Sequence, residues 1–100
     1  MRILQFKVTG QNLSKDGDFS GIVAGTKGYL YTAYNFDGEW DGCKKAAVFS
    51  KYDKEYPVPI MNGKCKVPDE ITEYKRWKVY LVGEKAGYRI TTNEVEVYQS

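Results

Sequence analysis

The stretch Tyr29-Leu30-Tyr31-Thr32-Ala33-Tyr34-Asn35-Phe36 decides the fold class. Its alternation has the two-residue period of a strand, which sends successive side chains to opposite faces. Leu30, Thr32, Tyr34 and Phe36 fall on one face, while Tyr31 and Asn35 fall on the other. Aromatic and β-branched side chains suit a pleated, half-buried surface, and aromatic residues make up 15% of the chain. No helical period of useful length competes with this pattern anywhere in the sequence.

Toward the N-terminus, Ile3 to Thr9 alternates in the same way, with Leu4, Phe6 and Val8 inward. Gln11 to Ser20 reads as a polar turn region, reversing at Lys15-Asp16-Gly17-Asp18. Gly21-Ile22-Val23-Ala24 reads as a short strand. Toward the C-terminus, Asp37 to Gly42 forms a loop with Trp40 in its middle, expected to fold down as a lid on the core. Lys45 to Ser50 is a strand with Ala47 and Phe49 inward, and Lys51 to Glu55 reverses the chain.

Tyr56 to Ile60 is expected at a sheet edge, because Pro57 and Pro59 have no N–H to give a ladder. Asn62-Gly63 is the strongest hairpin signal, since a type I′ turn needs positive φ at both central residues. It predicts that Tyr56–Met61 pairs with Lys64–Val67, with Cys65 and Val67 facing the core. Pro68 to Thr72 reads as one helical turn with acidic residues at its start. Arg76 to Gly83 carries apolar residues on both faces, including Trp77, Val79 and Leu81, and is expected to be central. After a turn at Lys85-Ala86-Gly87, Tyr88 to Tyr98 returns as one strand with Ile90, Val95 and Val97 inward. About seven or eight short antiparallel strands and one helical turn make a single all-β domain over residues 1–100, a sandwich or a small barrel.

The chemistry that is missing narrows the function. The chain has no histidine, which removes the commonest general base and the usual zinc ligand. No glycine-rich phosphate loop opens a helix. Asp37-Gly38-Glu39-Trp40-Asp41-Gly42 resembles the start of a calcium loop, but Val48 stands where the closing glutamate belongs. Asp37, Glu39 and Asp41 also have the chemistry of a glycosidase pair, though so small a domain leaves little room for a deep cleft. No enzyme activity, metal or cofactor is expected.

The net charge is +2 and its signs are interspersed. Lys44, Lys45, Lys51 and Lys54 read as solvated edge protection, so no nucleic acid is expected as a partner. No apolar run approaches the roughly 20 residues of a membrane helix. The opening Met1–Lys7 alternates with polar residues and does not form a signal-peptide core, so synthesis in the cytosol without secretion is expected. Cys43 and Cys65 are expected to be free, buried thiols, with pairing as the alternative if their Cα atoms lie within about 7 Å. An antibody-type framework places its tryptophan between the cysteines, whereas Trp77 follows both.

Two groups of residues follow. Phe36, Trp40, Cys43, Phe49, Cys65 and Trp77 are the structural candidates. Tyr31, Tyr74, Tyr80, Tyr88 and Tyr98 fall on polar faces or near turns and are the candidates for an aromatic binding surface.

Tyr34-Asn35-Phe36-Asp37-Gly38-Glu39-Trp40-Asp41-Gly42, followed by Lys45-Ala46-Ala47-Val48-Phe49, resembles a family of small proteins from the structural-gene regions of phages and prophages of Firmicutes. The resemblance continues through Asn62-Gly63-Lys64-Cys65-Lys66-Val67-Pro68 and Arg89–Val95, and covers about Val23 to Val97. It implies an Ig-like β-sandwich and a place on the virion, assembled in the host cytoplasm, in the baseplate, tail-fibre region or capsid surface. The expected role is non-catalytic. Attachment would be through an edge strand or an aromatic patch, to a larger phage protein or to further copies of the chain. Two alternatives stand beside it: a free intracellular inhibitor of a host or defence protein, and a carbohydrate-binding module recognising a cell-surface glycan.

Overall fold

The computed structural model describes all of residues 1–100. Nine strands form two sheets: β1 (Arg2–Thr9), β2 (Asn12–Lys15), β3 (Leu30–Phe36), β4 (Lys44–Lys51), β5 (Lys54–Pro59), β6 (Lys64–Lys66), β7 (Arg76–Lys85), β8 (Tyr88–Thr91) and β9 (Val95–Tyr98). The first sheet has the order β2-β1-β3-β6. The second runs β5-β4-β7-β8, with β9 also on β7. A single helical turn, α1 (Asp69–Thr72), lies where Pro68 and the acidic residues after it place one. No helix is long and apolar enough to cross a membrane.

The alternating strands bury the faces their sequences assign. Leu4, Phe6 and Val8 of β1 and Leu30, Thr32 and Tyr34 of β3 meet Ala47, Phe49, Trp77, Val79 and Leu81 of the other sheet in one core. Phe36, read as inward, is only half-buried at the margin of the core, where it meets Trp40 and the Lys45 ammonium. β7 is central, flanked by β4 on one side and by β8 and β9 on the other.

Several expectations are corrected. The first reversal is at Gly10-Gln11, not Lys15–Asp18: Thr9 faces Asn12, and β2 pairs with β1. Gly10 has φ +57, the requirement of the first position of a type II′ hairpin turn. Gly21–Ala24 is not a strand but a bend that drops Ile22 into the core. The Ser100 N–H donates to Ile22 O, and Ser100 O accepts from the Ala24 N–H, which pins this bend. β1 pairs with β3 in parallel, from Arg2 opposite Leu30 to Val8 opposite Phe36, so one pair departs from the all-antiparallel expectation. The returning C-terminal strand is broken at Thr92-Asn93-Glu94 into β8 and β9.

Asn62 (φ +54) and Gly63 (φ +76) both carry the positive φ of the turn assigned to them. The turn does not fold β6 back along β5, however. Only Met61 and Lys64 bridge, after which β6 pairs with β3, so the turn carries the chain from one sheet to the other. β5 does lie at an edge. The Ile60 N–H donates to Lys45 O at 2.9 Å. By strand alternation Val58 and Tyr56 also bond β4, and Pro57 and Pro59 turn outward with no N–H to offer a further strand. At the opposite side Asn93 closes the seam. Its Oδ1 accepts from the Leu13 N–H at 2.7 Å and its Nδ2 donates to Leu13 O at 3.1 Å, as a strand residue would.

Candidate functional site: a tyrosine and lysine cleft

The loop after β3 is structural. Asp37 Oδ1 accepts from the Glu39 N–H and its Oδ2 from the Gly10 N–H at 2.8 Å, so both oxygens serve the backbone. That capping bends the chain into a 3-10 turn over Gly38–Trp40 and drops Trp40 into full burial. The indole Nε1 donates to Gly10 O at 2.9 Å, and the ring lies 5.1 Å from Phe36. Trp40 is the expected lid. No cluster of three or more metal-ligating side chains is present.

The other structural candidates divide. Phe49 and Trp77 meet edge to face at 5.6 Å in the core. Cys43 and Cys65 are both free and buried. Cys65 Sγ lies 3.4 Å from the Thr32 hydroxyl, and burial raises its thiol pKa. Tyr34 is buried beside it with no partner for its hydroxyl. Burial, reinforced by Cys65, pushes the Tyr34 pKa well up.

The five tyrosines of the binding group do not form one surface. Tyr31 is half-buried on the first sheet, beside Lys66 of β6. Tyr80 lies mid-strand on β7 and donates to Glu55 at 3.2 Å. Tyr88 faces Lys85 at one end of β7, whereas Tyr98 faces Arg76 at the other. At 3.3 Å per residue those ends are about 30 Å apart. Only Tyr74 and Tyr98 come together.

They are joined by Tyr52, which the sequence reading passed over. Tyr52 is the first residue of the β4–β5 turn, 79% exposed, with φ +56. The following Asp53 has no positive φ, and this is the pattern of a turn that ordinarily takes glycine at its first position. A large aromatic held in left-handed backbone costs on the order of 1–2 kcal/mol. Tyr52 packs edge to face on Tyr74, with centroids 5.5 Å apart and planes at 86°. Lys51 Nζ lies 4.8 Å from the Tyr52 centroid and 5.8 Å from that of Tyr74.

These rings border a shallow, open cleft of about 600 Å³ that also takes in Glu73, Lys75, Arg76 and Gln99. Gln99 builds its floor: the side-chain amide donates to the carbonyls of Thr72 and Tyr74, tying the last strand to the segment after α1. Tyr98 donates to Glu96, whose carboxylate holds the phenol pKa up. The titratable groups lining the cleft are three phenols, two lysines, one arginine and one carboxylate, Glu73. No family model, curated protein or solved structure matches the chain.

Proposed function

We propose that the protein is a non-catalytic accessory component of a bacteriophage particle, attached through the Tyr52-Tyr74-Tyr98 end of its sandwich to a larger virion protein or to another copy of itself. The observation that carries this reading is Tyr52, an exposed aromatic kept at a turn position where glycine would be more stable. Exposed tyrosine is a favoured anchor in protein interfaces, giving large contact area for little side-chain entropy. The virion context rests on the resemblance of the segment Tyr34–Phe49 and of the Asn62–Pro68 turn region to phage structural-region proteins. Of the two attachment routes, the aromatic one is favoured. Pro57 and Pro59 block the β5 edge and Asn93 occupies the backbone of β2, which leaves only the short β6, β8 and β9 strands as edges.

The test is quantitative mass spectrometry of gradient-purified particles carrying the wild-type chain or Tyr52→Ala. Many copies per particle with the wild type, and few with the variant, are expected. Absence of the wild-type protein from particles, with abundance in infected cytosol, overturns the proposal in favour of a free inhibitor.

A further inference from the structure

We infer that the tyrosine and lysine cleft receives an acidic segment of the partner polypeptide, an inference that rests on this end being the docking surface. Lys51, Lys75 and Arg76 line the cleft against a single carboxylate, Glu73. The molecule contains only two ion pairs, Arg76–Glu96 at 3.8 Å and Arg89–Glu84 at 3.0 Å. Neither pair involves Lys51 or Lys75, so each ammonium is without a carboxylate in direct contact, although Glu96 lies close enough to feel the charge of Lys51. Lys51 is instead steered by the faces of Tyr52 and Tyr74, an attraction that positions an ammonium and leaves its charge available. Arg76 is nearly as free. Its contact with Glu96 is longer than the roughly 2.7–2.9 Å of a charge-assisted bond, and Glu96 also accepts from Tyr98.

The ring geometry selects among anionic partners. A sugar stacks on an open aromatic face, and the Lys51 ammonium covers one face of Tyr52 and of Tyr74, which favours a ligand that pairs with the cation over one that needs the ring alone. A carboxylate needs only the cations. The position of the segment is also constrained. The neighbouring hollow shares Lys51, Tyr52 and Arg76 with the cleft and adds Lys78, but it also carries Glu94 and Glu96. Those carboxylates repel a negative group there, so the acidic residues of the partner are placed in the cleft and not in the neighbouring hollow.

The experiment is fluorescence anisotropy of the full chain with a labelled peptide alternating Glu and Gly, set against the same peptide with Gln for Glu. Binding of the Glu probe, weakened by salt and lost with the Gln probe, is expected. Lys51→Glu and Arg76→Glu should each weaken it about tenfold, with unchanged melting temperature because both side chains are exposed or half-exposed. Equal binding of the two probes, or no binding of either, overturns the inference. A photo-reactive residue at position 53, exposed and next to the Tyr52 anchor, in assembled particles separates docking from the acidic preference. A crosslink to an Asp- or Glu-rich segment supports the inference. A crosslink to a neutral or basic segment, or to a glycan, overturns the acidic preference and leaves docking through this end standing. No crosslink within particles overturns both.

Discussion

Gly83 of β7 lies so close under Trp40 that a Cβ at Gly83 would stand 2.7 Å from the indole Cζ3. The φ of Gly83 is not in the left-handed region, so space and not backbone freedom is what requires glycine there. The indole bonds Gly10 on one sheet and rests on Gly83 of the other, which makes Trp40 the clasp between the layers.

Two substitutions test that clasp. Gly83→Ala should destabilise by about 1–3 kcal/mol through overpacking, and Trp40→Ala by about 3–5 kcal/mol through the cavity it leaves. In Trp40→Leu the added methyl of Gly83→Ala should cost less than in the wild type, a coupling that urea denaturation of the double-mutant cycle measures. Additive costs would mean that the two residues do not bear on each other.

Asn93→Ala should cost about 1–3 kcal/mol, because it strips partners from both the N–H and the carbonyl of Leu13. Amide hydrogen exchange gives the local readout. The Leu13 N–H should lose protection while core amides of β4 keep theirs relative to global stability.

Tyr52→Gly should leave the fold as stable or raise its stability by up to about 1 kcal/mol, since glycine adopts φ +56 without strain. The same change should abolish incorporation into particles. A variant that is markedly less stable in thermal melts would show that the Tyr52–Tyr74 contact serves the fold instead.

Tyr34 and Cys65 are expected to weaken the fold at alkaline pH. Both are acids whose folded pKa is raised, so the native state retains protons that the unfolded chain releases. Their contribution is complete below the unfolded values, about pH 9–10, and is lost as pH rises above them. Tyr34→Phe removes one such group along with a buried hydroxyl that lacks a partner. It should be at least as stable at neutral pH, by up to about 1 kcal/mol, and lose stability less steeply above pH 10. Urea midpoints across pH check the slope.

The strands with unbroken alternation were legible in the sequence: Leu4, Phe6 and Val8, then Leu30, Thr32 and Tyr34, then Trp77, Val79 and Leu81 declare their faces locally. β2 was not, because Leu13 is its only large apolar residue and a two-residue turn at Gly10-Gln11 looks like any polar loop. Asn62-Gly63 announced a reversal correctly but not its destination, since turn chemistry fixes local φ and says nothing about which sheet receives the next strand. Ile22 misled in the opposite sense. An apolar residue plugging the core from a bend has the same composition as one in a short strand. The cleft was the least legible part, because nothing in the letters Lys51-Tyr52-Asp53 marks a tyrosine in left-handed backbone. Tyr74 and Tyr98 meet it only through tertiary packing.

The parallel seat of β1 beside β3 has a consequence in time. Arg2 must find Leu30, and Lys44 must find Glu84, so the two largest pairings of the molecule close long loops before they return any stabilisation. The chain's local hairpins, β1–β2, β4–β5 and β7–β8, close only short loops but bury little alone. Refolding is therefore expected on the milliseconds-to-seconds scale of high-contact-order β proteins. A newly made chain spends that interval with Phe6, Phe49 and Trp77 uncovered.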